Sequence, residues 1–125
     1  MGKDVSYVYI VECEDESLYT GITKDIDKRL LTHLSKKSTA AKYTRSHTVK
    51  RVRAVFKAVS YSSAAKLEYA IKQLRREKKL SFIEGAFSGE DIISLYFPKL
   101  CNEDYVFLKD FDYKADIGRR EGIDG

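Results

Sequence analysis

The chain has no tryptophan, a single proline (Pro98) and only two cysteines, Cys13 and Cys101, in its 125 residues. The cysteines lie far apart with no Cys-x-x-Cys or Cys/His spacing around them, which excludes a zinc knuckle or a disulfide framework. A reducing, cytoplasmic setting is therefore expected. No apolar run approaches the roughly 18 to 20 residues that a bilayer-crossing helix needs. The start Met1-Gly2-Lys3-Asp4 leads directly into strand-like sequence, so neither a signal peptide nor a membrane partner is expected. Internal repeats and low-complexity tracts are also missing. A chain of this length can bury one core without staples but cannot form two sizeable domains around a cleft.

What is present is an uneven distribution of charge. The net charge is +4, yet residues 1–85 hold 18 basic and 10 acidic side chains, whereas residues 86–125 hold 5 and 9. Between Lys24 and Lys79 the bias sharpens to 17 basic against 4 acidic residues, which makes a polyanion the natural partner. The expected division is a basic domain over 1–85 and an acidic C-terminal extension over 86–125, partly ordered, with a charged tail from Asp116 too poor in apolar residues to order itself.

The β-branched and aromatic run Val5 to Cys13 predicts a strand covered on both faces. The polar turn Glu14-Asp15-Glu16-Ser17 and the strand-like Leu18 to Thr23 complete an antiparallel hairpin. Asp25 to Lys37 places Ile26, Leu30 and Leu34 on one helical face, and residues 36–50 read as an exposed basic loop. Arg51 to Ser60 alternates, with Val52, Ala54, Phe56 and Ala58 on one side of a third strand. A helix capped by Ser62 or Ser63 is expected to run to about Lys79, with Leu67, Ile71 and Leu74 buried. One or two short helical pieces, capped at Ser88, precede Pro98, and Glu103 to Tyr113 has the composition of a further strand. The fold class is α/β (α+β), a three-stranded antiparallel sheet flanked by helices with a C-terminal extension.

Within this frame a few residues stand out chemically. Pairing the hairpin around its polar turn, with facing positions summing to about 28, sets Tyr9 opposite Tyr19 on one sheet face, and Gly21 in the second strand asks for a bulge or a close approach. Arg29 and His33 stand one helical turn apart beside the apolar stripe, and Glu68 is the only acidic residue between Asp27 and Glu77. Each has a plain structural reading as well: an aromatic pair that packs, an arginine stem over the core rim beside a half-buried histidine, and an i,i+4 ion pair of Glu68 with Lys72.

Taken together, Tyr7-Val8-Tyr9, Tyr19-Thr20-Gly21, Arg29-x-x-x-His33, Ala41-Lys42-Tyr43-Thr44-Arg45 and Glu68 within Leu67 to Leu74 resemble the GIY-YIG endonucleases, in particular their small single-domain branch, over residues 5–83. Two departures mark the chain: Tyr7 replaces the first glycine of the family name, and the asparagine many members carry soon after the metal-binding glutamate is missing, the sole asparagine being Asn102. The resemblance implies a metal-dependent endonuclease acting on DNA phosphodiesters, with RNA not excluded, and a structure-selective role in DNA repair or processing. It implies Tyr19 as general base or water-orienting group, Tyr9 as its phenolic neighbour, Arg29 as phosphate clamp, His33 as holder of the water or proton relay, and Glu68 as the protein ligand of Mg²⁺ or Mn²⁺. An ordinary phenol titrates near about 10, so such a base needs cationic neighbours. Lys36, Lys37, Lys42, Arg45, Lys50, Arg51 and Arg53 are expected on backbone phosphates and Tyr43 on an exposed base. The other reading is a non-cleaving nucleic-acid-binding module of the same fold. The acidic extension offers a docking segment for a partner protein, and the oligomeric state is open.

Overall fold

A computed structural model describes residues 5–28 and 49–109. Strand β1 (Ser6–Cys13) and β2 (Leu18–Thr23) form the hairpin, residues 26–28 are helical, and β3 (Val49–Ala58) follows. Helices α1 (Tyr61–Lys72), α2 (Arg76–Phe87) and α3 (Ile92–Tyr96) lead through a 3-10 turn (Asn102–Asp104) into β4 (Tyr105–Phe107). The sheet is antiparallel throughout, in the order β2-β1-β3-β4. It therefore has four strands where three were expected, the fourth coming from the extension. No helix among the described residues is long and apolar enough to cross a membrane.

The hairpin closes through a three-residue connection. The Cys13 amide donates to the Ser17 carbonyl (2.9 Å), and Glu16 takes a left-handed backbone (φ 71°), the conformation that ends such a loop. Asp15 Oδ1 accepts from both the Ser17 amide and hydroxyl (3.0 and 2.7 Å). With Ser17 paired to Cys13, facing positions sum to 30, so Tyr9 lies opposite Gly21 and Tyr19 opposite Val11. The expected direct pairing of Tyr9 with Tyr19 is corrected to a diagonal one, because the turn is centred on Asp15, one residue later than a sum of 28 requires. A shift of this size keeps both rings on one face, since side chains alternate with period two.

Strand β3 also departs from simple alternation. Ala54 faces Ile10 and Val52 faces Val11, which leaves Arg53 at a bulge. Val52 therefore joins the cluster of Val11 and Val55, while Ala54, Phe56 and Ala58 stay on the opposite side. The bulge lets both Arg53 Nη1 (2.9 Å) and Arg51 Nε (3.2 Å) reach Glu12 Oε1, a buried carboxylate that would be costly without them.

Helix α1 begins two to three residues earlier than expected: Ser60 is its cap, accepting from the Ser63 amide at 3.1 Å. It ends at Lys72 rather than Lys79. The residues after Leu74 offer no apolar group until Leu80, and breaking the helix lets α2 present Phe82, Ile83 and Ala86 to the core at a new angle. Ser88 closes α2 instead of opening the next helix, for which Asp91 is the cap.

One face of the sheet carries the main core. Val8, Ile10, Ala54 and Phe56 meet Ala64, Leu67 and Ile71 of α1, Phe82 of α2 and Ile92 and Ile93 of α3. Phe82 sits at its centre, with ring centroids 5.5 Å from Phe56 and 5.4 Å from each of Tyr96 and Phe97. The extension is tied to α1 by polar groups too. Tyr105 donates to the Ser63 carbonyl (2.7 Å), Ser63 Oγ donates to Asp104 Oδ2 (3.2 Å), and the Val59 amide donates to the Asp104 carbonyl (3.0 Å). The other face holds a smaller cluster: Tyr9, Val11, Cys13, Ile26, Val49, Val52 and Val55, with Tyr7 and Tyr19 against it.

Candidate active site

The site begins with the two phenols. Tyr9, 1% exposed, stands in the middle of β1, and Tyr19 is half-buried on the edge strand β2. Their ring centroids are 6.3 Å apart with planes tilted by 48°. Gly21 explains how the rings fit: a Cβ there would lie 2.5 Å from Tyr9 Oη and 2.6 Å from Cζ, so the ring lies directly over bare backbone. The close approach that glycine allows is thus made by the protein's own tyrosine.

Glu68 comes from a different element. Its neighbours Leu67 and Ile71 turn α1 onto the main core, on the face opposite the phenols, and α1 packs against β2, β1 and β3. The carboxylate is 24% exposed and accepts from Lys72 Nζ at 3.1 Å, the i,i+4 pair foreseen for it. Burial, and then the charge of Lys72, hold the Lys79 ammonium below its ordinary value, so Lys72 lies in a field shared by Glu68 and Lys79. Lys72 was expected beside Glu68, whereas Lys79 was not singled out as a neighbour, the run Arg75-Arg76-Glu77-Lys78-Lys79 being its only signal. On the phenol face, burial pushes the Cys13 thiol up, away from nucleophile chemistry.

Arg29, His33, Lys36, Lys37, Lys42, Tyr43 and Arg45 lie outside the described residues. Of the other cations expected on phosphate, Lys50 is exposed on β3, whereas Arg51 and Arg53 are held by Glu12 and share its charge. The structure therefore brings Tyr9 and Tyr19 together and puts Glu68 on the helix packed over the other face of the sheet. Asn102 stands in the 3-10 turn between α3 and β4, in the extension.

The hairpin with its two converging tyrosines over a glycine, the third antiparallel strand and the helix that carries Glu68 all fall within the stretch of chain that a family model matches. The model of the GIY-YIG catalytic domain matches residues 5–81, and the chain belongs to that family. It is similar to a UPF0213 protein of Fusobacterium nucleatum, 47% identical over 62% of this chain and 75% of that one. It is also similar to one of Haloquadratum walsbyi, 43% identical over 72% of this chain and 96% of the other. Among solved structures, the solution NMR structure of a UPF0213 protein from Bacillus halodurans is 42% identical over 64% of this chain and 83% of that chain, with a TM-score of 0.43.

Proposed function

We propose that the chain is a metal-dependent endonuclease that hydrolyses DNA phosphodiesters, in structure-selective repair or processing. The observation that carries this reading is the Tyr9–Tyr19 pair, 6.3 Å between ring centroids and made possible by Gly21. β2 is an edge strand among the described residues, and a phosphate along it would meet Tyr19 on one face of the sheet, with Glu68 on the helix over the other. Tyr19 orients the attacking water or accepts its proton, with Tyr9 supporting it. Arg29 and His33 are assigned to the phosphate clamp and to the water, respectively. Positive charge near the pentacovalent oxygens stabilises them, and Lys72 beside Glu68 is a source of it on α1.

The donor chemistry fits Mg²⁺. This ion keeps several waters and takes one or two carboxylates plus phosphate oxygens, and Glu68 is a hard oxygen ligand that retains solvent access. When bound it would relieve charge on the leaving oxygen. Lys72 must release Glu68 for the ion, and it is then free to meet a phosphate oxygen.

A second reading, a nucleic-acid-binding module that does not cleave, is favoured by the same Glu68–Lys72 pair and by the remote position of Asn102. Incubating the protein with plain, flapped and branched DNA in Mg²⁺, Mn²⁺ or EDTA separates the two. Cleavage is expected only with metal, and Tyr19→Phe and Glu68→Ala should each lower it by about 10²-fold or more. Activity that survives both substitutions would refute the site.

A further inference from the structure

Away from the phenols, α1 and the segment after α3 enclose an open groove of about 430 Å³. Lys66, Tyr69 and Ala70 form one wall from a single side of α1, as their three- and four-residue spacing requires. Tyr96, Phe97 and Lys99 contribute to the other, around Pro98. The two walls differ in how far they are buried. Tyr96 and Phe97 are seated on Phe82 beneath them, with centroids 5.4 Å away in each case, whereas Tyr69 is 68% exposed. No carboxylate lines the groove, and neither Lys66 nor Lys99 forms an ion pair among the described residues.

We infer that this groove binds a single-stranded nucleic-acid segment, with a base stacked on Tyr69 and its phosphates on Lys66 and Lys99. The inference rests on the nuclease reading and deepens it by naming a substrate class, strands with an unpaired arm. Three features favour a nucleic-acid strand over other occupants. The groove offers aromatic faces without base-specific polar groups, as sequence-tolerant stacking sites do. It is bracketed by two cations, Lys66 and Lys99, that form no ion pair among the described residues, matching a chain of phosphates. It also lies on α1, the helix that carries Glu68, so a strand leaving the proposed cleavage site has a short path to it. The wall from Tyr96 to Lys99 lies beyond residues 5–81, so the family's catalytic domain alone does not provide the groove.

The test measures binding by the full chain in EDTA, where no cleavage occurs. Fluorescence anisotropy compares a labelled oligothymidylate of about a dozen nucleotides with a blunt duplex of similar length. Tyr69→Ala should weaken single-strand binding by about 5- to 150-fold and leave duplex binding unchanged. Tyr69→Phe should preserve it, and Lys99→Gln should lower the log–log salt slope by about 0.7. Tyr61→Ala, at a 53% exposed tyrosine outside the groove, is the control and should change neither. Equal effects of Tyr69→Ala and Tyr61→Ala, or an unchanged single-strand affinity, would overturn the inference. So would a Tyr69-dependent dimer with no role in oligonucleotide binding. Because cleavage is not read, a chain that never hydrolyses DNA can still pass, and an active enzyme can still fail.

Discussion

The two faces of the sheet are built from the same strands and serve different ends. On one, Val8, Ile10, Ala54 and Phe56 are sealed under three helices and an aromatic cluster centred on Phe82. On the other, a smaller cluster buries Tyr9 and carries Tyr19 at its margin, on edge strand β2. The first face stores most of the hydrophobic stabilisation, and that leaves the second able to keep one polar aromatic group, Tyr19, near solvent. If this division holds, stability and activity should respond to substitutions on different faces.

The largest effect should come from Phe82→Ala. It deletes the ring that Phe56, Tyr96 and Phe97 all pack against, and such truncations cost about 3–5 kcal/mol. That is a large part of the stability of an ordinary small domain. Urea unfolding should show the loss directly, whereas Tyr19→Phe, on the other face, should leave the midpoint almost unchanged. A Tyr19→Phe protein as unstable as Phe82→Ala would erase the division.

Gly21→Ala probes the point where the division is tightest. The new methyl must displace the ring of Tyr9, which is buried and cannot swing into solvent, so a destabilisation of about 1–3 kcal/mol is expected. Because Cβ would meet the Tyr9 hydroxyl first, adding Tyr9→Phe should recover part of that loss. A double-mutant cycle measured by thermal or urea unfolding checks the coupling. Strict additivity would mean that the ring and the glycine do not depend on each other.

Much of this arrangement could be read from residue order, and the misses have physical causes. β1 and β2 follow from dense β-branched and aromatic residues, and the shared face of the tyrosines survived an error in register because that error was an even number of residues. The register itself was hidden because the left-handed position of the turn is filled by Glu16, which has no special liking for it. The bulge at Arg53 was also silent: alternation through Val52 looks regular until Glu12 draws two arginines to one carboxylate. The break between α1 and α2 contains neither proline nor glycine, so only the competition of Leu74, Phe82 and Ile83 for the core reveals it. In the site, Glu68 and its pairing with Lys72 were legible from i,i+4 spacing, whereas the placement of α1 on the face away from the phenols depends on tertiary packing that no local pattern encodes.

The smallest effect sharpens the comparison at the seam between the extension and the main core. Tyr105 is buried and donates to the Ser63 carbonyl, and burial, then the charge of Asp104, push its phenol up from 10.0 to about 12. Tyr105→Phe removes one neutral hydrogen bond and should cost about 1 kcal/mol near neutral pH. The pH dependence gives a second readout. Above 10 the unfolded chain loses this proton while the folded chain keeps it until about 12, so the folded state binds more protons and stability falls with rising pH through that window. The contribution is complete below 10 and declines above it. Phenylalanine cannot titrate, so the gap between wild type and Tyr105→Phe, measured by urea unfolding, should narrow from neutral pH to about pH 11. A gap that stays constant would mean that Tyr105 titrates normally in the folded chain.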